Sequence, residues 1–233
     1  MRVLVTRPQR DAERTAGQFA ALGHEAVIAP TMRIEARKPT IAGVDFSAVI
    51  ATSAHAIELL DDCRLEGLRN AALFCVGART AAAARDRGFQ DVRTSALNAQ
   101  DLLAMLPGLR RGTRVLYLAG HDRKALLETG LTARGFQIEV AEIYRAFAET
   151  RLPAAAIEAL NAGRLDAVLN YSRRSAVILI GLARDAGVLK NLLALPQICL
   201  SGDVASAFEG FDARTLIAPT PESSGMLAAL EMI

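Results

Sequence analysis

The chain has 233 residues, 52% of them apolar, and a formal net charge of +2, enough hydrophobic material for one large or two small domains. This balance excludes disordered and collagen-like classes, and the small charge argues against a nucleic-acid partner. No run approaches the roughly 20 apolar residues that span a bilayer, and the opening MRVLVTRPQ meets Arg7 before any signal-like core, so a cytoplasmic protein with no membrane partner is expected. In chain order, the strand-type runs are Val3–Thr6, Ala26–Ala29, Ala48–Ala51, Ala72–Val76 and Arg114–Leu118. Ile138–Ala141, Ala167–Asn170, Gln197–Leu200 and Arg214–Ala218 follow. Between them, Asp11–Leu22, Arg79–Arg87, Arg123–Arg134 and Arg173–Ala186 carry apolar residues at helical spacing. Solid Val/Ile/Leu strands alternating with helices predict an α/β fold with parallel sheets buried on both faces.

Cys63, Cys75 and Cys199 form no CxxC pair, and His24, His55 and His121 stand far apart, so no metal is expected. The lysines are only Lys38, Lys124 and Lys190. The excess of arginine fits either genomic base composition or two-point binding of carboxylates.

The chain also repeats itself. RVLVTRPQRDAERTAGQFAALGHE from Arg2 lies over RVLYLAGHDRKALLETGLTARGFQ from Arg114, matching Val3 with Val115 and Gly23 with Gly135. SAVIATSAHAIELL from Ser47 resembles DAVLNYSRRSAVILI from Asp166, placing Ser53 on Ser172. FCVGARTA lies over ICLSGDVA, with Cys75 on Cys199. Three pairs in one order predict two similar α/β lobes. MRIEARKP and EIYRAFAET alternate as extended crossings between them.

In parallel sheets, ligands bind at the carboxyl ends of the strands. Those ends read Thr6-Arg7-Pro8, Thr52-Ser53, Gly77-Ala78-Arg79-Thr80 and Gly120-His121-Asp122-Arg123-Lys124. The later ones read Tyr171-Ser172-Arg173-Arg174, Ser201-Gly202-Asp203 and Thr220-Pro221-Glu222-Ser223. They are rich in hydroxyls, glycines and guanidinium groups, and the chain lacks GxGxxG, GxxxxGK[ST] and GxSxG. Ser53, Thr80, Ser172 and Ser201 fit helix N-caps as well as ligand contacts, and the two roles are compatible. Arg173 and Arg174 are either a solvated helix start or, beside the positive end of a helix, a hint of an anion. Tyr144 reads equally as a packing residue of a crossing strand; Tyr117 and Tyr171 read as packing beside strand ends.

RVLVTRP, TSAHAIE, VGARTAAAARDRGF, LAGHDRKALLETGLTARGF, EIYRAF and NYSRRSAV, taken together and in order, resemble the uroporphyrinogen-III synthases. The likeness runs from Arg2 to about Ala229; no single motif is specific, and the ordered set carries it. The resemblance implies two flavodoxin-like parallel-sheet domains joined by a two-stranded antiparallel linker, with the active site in the cleft between them. The first domain would combine residues 1–33 with 150–233 and the second would hold 39–143. Residues 34–38 and 144–149 would be the linker strands.

The implied activity is that of a cofactor-independent carbon–oxygen lyase of tetrapyrrole (porphyrin, haem) biosynthesis. It would dehydrate and cyclise hydroxymethylbilane to uroporphyrinogen III, inverting ring D through a spiro intermediate. No cofactor is implied. The bilane would be handed over by the deaminase that makes it, and a monomer is expected. Favouring one closure path about 100-fold requires roughly 2.7 kcal/mol, which holding a folded bilane supplies. Carried over by position, Tyr144 matches the tyrosine considered as proton donor to the departing hydroxyl. The resemblance implies substrate binding by Arg7, Ser53, Gly77, Thr80, Arg123, Lys124, Ser172, Arg173 and Ser201. One departure stands out: where relatives carry a Gly-x-Thr-Thr-Ala turn, this chain reads Leu200-Ser201-Gly202-Asp203-Val204-Ala205. A two-lobed module that closes on a small anion without catalysis fits the same fold and arginine-rich loops; a nucleotide-dependent transferase is disfavoured by the missing phosphate loops.

Overall fold

The computed structural model describes residues 1–43, 45–95, 98–106 and 110–233. The chain opens with β1 (Arg2–Val5), α1 (Gln9–Ala20), β2 (Glu25–Ile28), β3 (Met32–Ala36), β4 (Ala48–Ala51), α2 (Ala54–Glu58) and α3 (Asp62–Leu68). Next come β5 (Ala72–Val76), α4 (Ala78–Asp86), β6 (Val92–Ser95), α5 (Ala99–Ala104), β7 (Arg114–Gly120), α6 (Leu126–Ala133) and β8 (Gln137–Ala148). The last stretch holds α7 (Ala154–Asn161), β9 (Ala167–Asn170), α8 (Arg173–Asp185), α9 (Leu189–Leu193) and β10 (Gln197–Cys199). It ends with α10 (Gly202–Ala205), a 3-10 turn at Ser206–Phe208, β11 (Thr215–Ile217) and α11 (Ser223–Leu230). Two compact units result: Met1–Arg33 with Phe147–Ile233, and Ile34–Ala146.

In the first unit, the sheet order is β11-β10-β9-β1-β2 and every pairing is parallel. Counted along the unit's own chain this is 2-1-3-4-5, the flavodoxin-like order. Val3, Leu4 and Val5 are wholly buried because alternate residues serve opposite faces of a covered sheet. Leu4 and Val168 pack with Ala156 and Leu160 of α7, Leu179 of α8 and Leu192 of α9. Val3, Val5 and Leu169 face Ala12 and Phe19 of α1 and Met226 and Leu230 of α11. Each of the Val, Leu, Phe and Met side chains contributes about 1.5–3 kcal/mol on burial.

The second unit orders its sheet β3-β8-β7-β4-β5-β6. β4 through β8 are mutually parallel where paired. Beside the edge strand β3, the Arg37 N–H donates to the Ile143 carbonyl at 2.7 Å, and the Glu149 N–H donates to the Thr31 carbonyl at 2.9 Å. One residue number rises as the other falls, so β3 and β8 run antiparallel. The α2, α3 and α4 side packs on Val49, Ala51, Leu73, Leu116 and Leu118. On the opposite face, Leu102 and Leu103 of α5 and Leu127 and Leu131 of α6 cover Ile50, Phe74 and Val115.

The repeated segments fall on equivalent strands. Val3 pairs with Ala26 and Ala167, and its repeat partner Val115 pairs with Ile138 and Ala48. Val168 pairs with Gln197 as Val49 pairs with Leu73. β8, β7, β4 and β5 therefore stand in the second sheet where β2, β1, β9 and β10 stand in the first. The spatial order is shared and the connectivity permuted.

Several elements differ from their sequence expectation. The strand expected at Ile138–Ala141 and the crossing segment after it are one strand, β8, of twelve residues. The helix expected from Arg123 begins at Leu126, because β7 continues to Gly120 and the Arg123 guanidinium turns back onto the Gly120 and His121 carbonyls. β6 was not expected: its VRTS sequence has one aliphatic residue, which suffices for an edge strand paired on one side only. Among the described residues no helix is long and apolar enough to cross a membrane.

Candidate active site

At the carboxyl end of the second unit's sheet, the pairing of β7 with β8 slips by one residue. Ala119 faces Glu142, but Gly120 faces Tyr144, so Ile143 is the extra residue of a β-bulge. A bulge breaks the strand's alternation and re-aims a side chain. Here Ile143 and Tyr144 both join the cluster of Leu118 and Ala141, on the α2 side of the sheet. Without the slip, strict alternation would turn Tyr144 to the face of Glu142.

Gly120 provides the space for that ring. A Cβ added there would lie 2.7 Å from Tyr144 Cζ and 2.8 Å from its hydroxyl. The backbone at Gly120 needs no left-handed conformation, so the close approach alone accounts for the glycine. Beside Tyr144 stands His55 of α2, the two ring centroids 5.5 Å apart and the rings tilted by 46°. Ser53 caps α2, its Oγ accepting the His55 N–H at 3.3 Å, and the same Oγ lies 3.3 Å from His55 Nδ1. Nearby, Tyr117 is 2% exposed, with its hydroxyl 3.2 Å from Thr52 Oγ1. Burial pushes the Tyr117 phenol up, and the Thr52 hydrogen bond opposes that shift.

Glu142, on the opposite face of β8, collects cations. Its Oε2 accepts from His121 Nδ1 at 3.0 Å and from Arg37 at 3.1 Å, and its Oε1 accepts from Arg123 at 2.8 Å. Arg123 also donates to Glu128 at 2.7 Å. The His121 hydrogen bond, then that of Arg123, hold the Glu142 carboxyl well below the usual range, at about 2. Arg123, expected to bind substrate, thus has two carboxylates of its own; Lys124 beside it is exposed. Gly77 takes φ 80°, a conformation glycine adopts without strain, as the N-cap of α4. Thr80 therefore lies inside the first turn, 4% exposed, rather than at the cap.

In the first unit, the Arg7 guanidinium stacks 4.3 Å above the Tyr171 ring, 3.6 Å from Asp11 and 3.3 Å from Thr15 Oγ1. Asp11 is 3% exposed and also accepts from Arg14 at 2.6 Å. Burial pushes the Tyr171 phenol up, and Arg7 counteracts it. Ser172 caps α8, accepting the Ser175 N–H at 3.1 Å and donating to Ser175 Oγ at 2.9 Å. Arg173 donates to Ser206 at 3.1 Å, and Ser201 occupies the N-cap position of α10 without a side-chain bond to it. Asp203 is exposed. An open cavity of about 600 Å³ lies beside the starts of α1 and α7, lined by Gln9, Pro30, Arg151, Leu152 and Pro153 among others, and none of the expected site residues lines it.

Ser53, Gly77, Thr80, Arg123, Lys124 and Tyr144 therefore belong to the strand ends of the second unit, and Arg7, Ser172, Arg173 and Ser201 to those of the first. Reading the sequence placed Gly120 at a strand end without a role for it and singled out neither His55 nor Glu142. His55 carried a signal, standing two residues after Ser53 at a strand end. Glu142 carried none beyond its place in an alternating strand.

A family model described as uroporphyrinogen-III synthase HemD matches residues 13–228. The chain belongs to the uroporphyrinogen-III synthase family. A member of that family, the uroporphyrinogen-III synthase of Salmonella typhimurium, is 30% identical over 159 residues, which are 62% of this chain and 65% of the relative. The alignment thus spans just under two thirds of that synthase's length. Among solved structures, uroporphyrinogen-III synthetase of Helicobacter pylori is similar over the full length of both chains, with a TM-score of 0.68 at 19% identity. A mutant uroporphyrinogen III synthase of Thermus thermophilus likewise covers both chains fully, with a TM-score of 0.59 at 20% identity. At such identities these two likenesses bear on the fold, which the synthase structures share with this chain.

Proposed function

We propose that this protein is a uroporphyrinogen-III synthase, a carbon–oxygen lyase that closes hydroxymethylbilane with loss of water and inversion of ring D. Family membership supports the reaction class. The observation that carries the local chemistry is the bulge that sets Tyr144 over Gly120 at the carboxyl end of the β7–β8 pair. A phenol there is a weak donor suited to a hydroxyl that the pyrrole nitrogen already helps to expel. Loss of that hydroxyl with the donated proton as water leaves a protonated azafulvene. The substituted carbon of the far ring attacks it, the resulting spiro intermediate fragments and recloses at that ring's free α-carbon with the ring inverted, and the proton expelled from that carbon restores the phenol.

In this reading the substrate's carboxylates meet groups at the carboxyl ends of parallel strands. Lys124 and Arg173, exposed beside those ends, offer charge. Ser53, Gly77, Thr80, Ser172 and Ser201 offer hydroxyls and turn amides. Arg7 and Arg123, held by Asp11 and by Glu142 with Glu128, contribute chiefly by shaping their loops. The protein works as a cytoplasmic monomer and takes the bilane from the deaminase that makes it.

The test is to add purified protein to freshly generated hydroxymethylbilane, oxidise the products and resolve the uroporphyrin isomers. Predominantly type III product is expected, with kcat reduced about 100-fold in Tyr144→Phe. Type I product alone from folded wild-type protein defeats the synthase reading and leaves a two-lobed anion-binding module in its place. Full turnover and isomer fidelity in Tyr144→Phe defeats the donor role alone.

A further inference from the structure

We infer that His55 is a positioning residue for Tyr144, acting by ring contact rather than by proton transfer; this rests on the reading of Tyr144 given above. Three constraints meet at the phenol. The bulge at Ile143 chooses the face of the sheet, Gly120 leaves the space beneath the ring, and the imidazole closes one side at a centroid distance of 5.5 Å. That separation lies within the range over which aromatic rings interact, and the rings are tilted by 46°.

The imidazole is itself fixed. Ser53 Oγ accepts the His55 backbone N–H and lies 3.3 Å from Nδ1 of the same residue, so one hydroxyl holds both the backbone and the ring of His55. Ser53, the cap, His55 and Tyr144 thus form one mechanical series from the turn after β4 to the phenol. The other two histidines are engaged elsewhere, His24 against the Phe19 ring and His121 on Glu142. A ring displaced by about 1 Å from its reacting partner costs up to 100-fold in rate, so the loss of one of three constraints is expected to cost about tenfold.

The experiment is a double-mutant cycle on the full chain, assayed for total uroporphyrinogen and for isomer ratio. His55→Ala is expected to lower kcat about tenfold at unchanged KM and to raise the share of type I product. His55→Phe, which keeps the ring against Tyr144 and loses only the Ser53 contact at Nδ1, is expected to recover part of the loss. In the Tyr144→Phe background, His55→Ala is expected to have no further effect on kcat, because the constraint then acts on a ring without a donor. Thermal melting of each variant separates a folding loss from a positional one. Full kcat in His55→Ala, an effect that multiplies with Tyr144→Phe, or failure of His55→Phe to recover activity overturns the positioning role. Wild-type protein that makes no type III isomer instead overturns the parent reading.

Discussion

Gly120 is a residue whose identity is set by a ring on the neighbouring strand. Its hydrogen is the only substituent that leaves room for the Tyr144 ring, and no unusual backbone angle is involved. Gly120→Ala is therefore expected to destabilise the protein by about 1–3 kcal/mol through overpacking, and to lower activity by displacing the phenol. Placing the same substitution in a Tyr144→Ala background removes the clash, so its stability cost is expected to fall below about 0.5 kcal/mol. Urea unfolding of the four proteins in that cycle decides the matter; an equal cost in both backgrounds would locate the strain in the backbone instead. From sequence, Gly120 read only as one more strand-end glycine, because a requirement set by a ring on the next strand has no local signature. Tyr144 was legible as a candidate with packing and chemical roles equally good, but the bulge that sets its face of the sheet was not.

At the scale of elements, the legible parts were those whose pattern is local. Solid apolar strands such as Ala48–Ala51 and Ala167–Asn170 stand where composition puts them, since both faces of each are covered. β6 and the short helices α2, α9 and α10 were not legible, because four or five residues make too short a periodic signal and tertiary packing decides them. The loop after β7 escaped for another reason: its form depends on Glu142, which lies far along the chain. That carboxylate draws His121, Arg37 and Arg123 together at the end of the β7–β8 pair. With its pKa depressed from 4.5 to about 2 in the folded state, Glu142 contributes stability that is fully present above about pH 4.5. The contribution is lost as pH falls through the folded value. Glu142→Gln is accordingly expected to melt below wild type at pH 7, with the gap narrowing as pH is lowered from about 4.5 towards 2. A gap that stays constant over that range would show that the carboxylate's charge is not what holds the loop.

At the scale of the whole molecule, the duplication was readable as three segment pairs, and their meaning emerged only from the strand registers. Segments that match in sequence occupy matching places in two different sheets, so each unit is assembled from both halves of the chain. The permutation has unequal consequences for folding. Ile34–Ala146 is one continuous stretch whose sheet is covered on both faces by its own helices. In the first unit, by contrast, the N-terminal segment supplies the interior strand β1, between β2 and β9, and Phe147–Ile233 alone would leave β9 with an open edge and Leu4's neighbours uncovered. Expressed separately, 34–146 is expected to unfold cooperatively on heating, with a van't Hoff enthalpy of about 60–80 kcal/mol for a domain of that size. The 147–233 fragment is expected to show no cooperative transition until a peptide of residues 1–33 is added, when β1 can insert. Calorimetry and near-ultraviolet circular dichroism of the fragments, alone and mixed, test this. A cooperative transition in 147–233 by itself would mean that β9, β10 and β11 with their helices make a sufficient core, and that β1 completes the sheet without being needed to nucleate it.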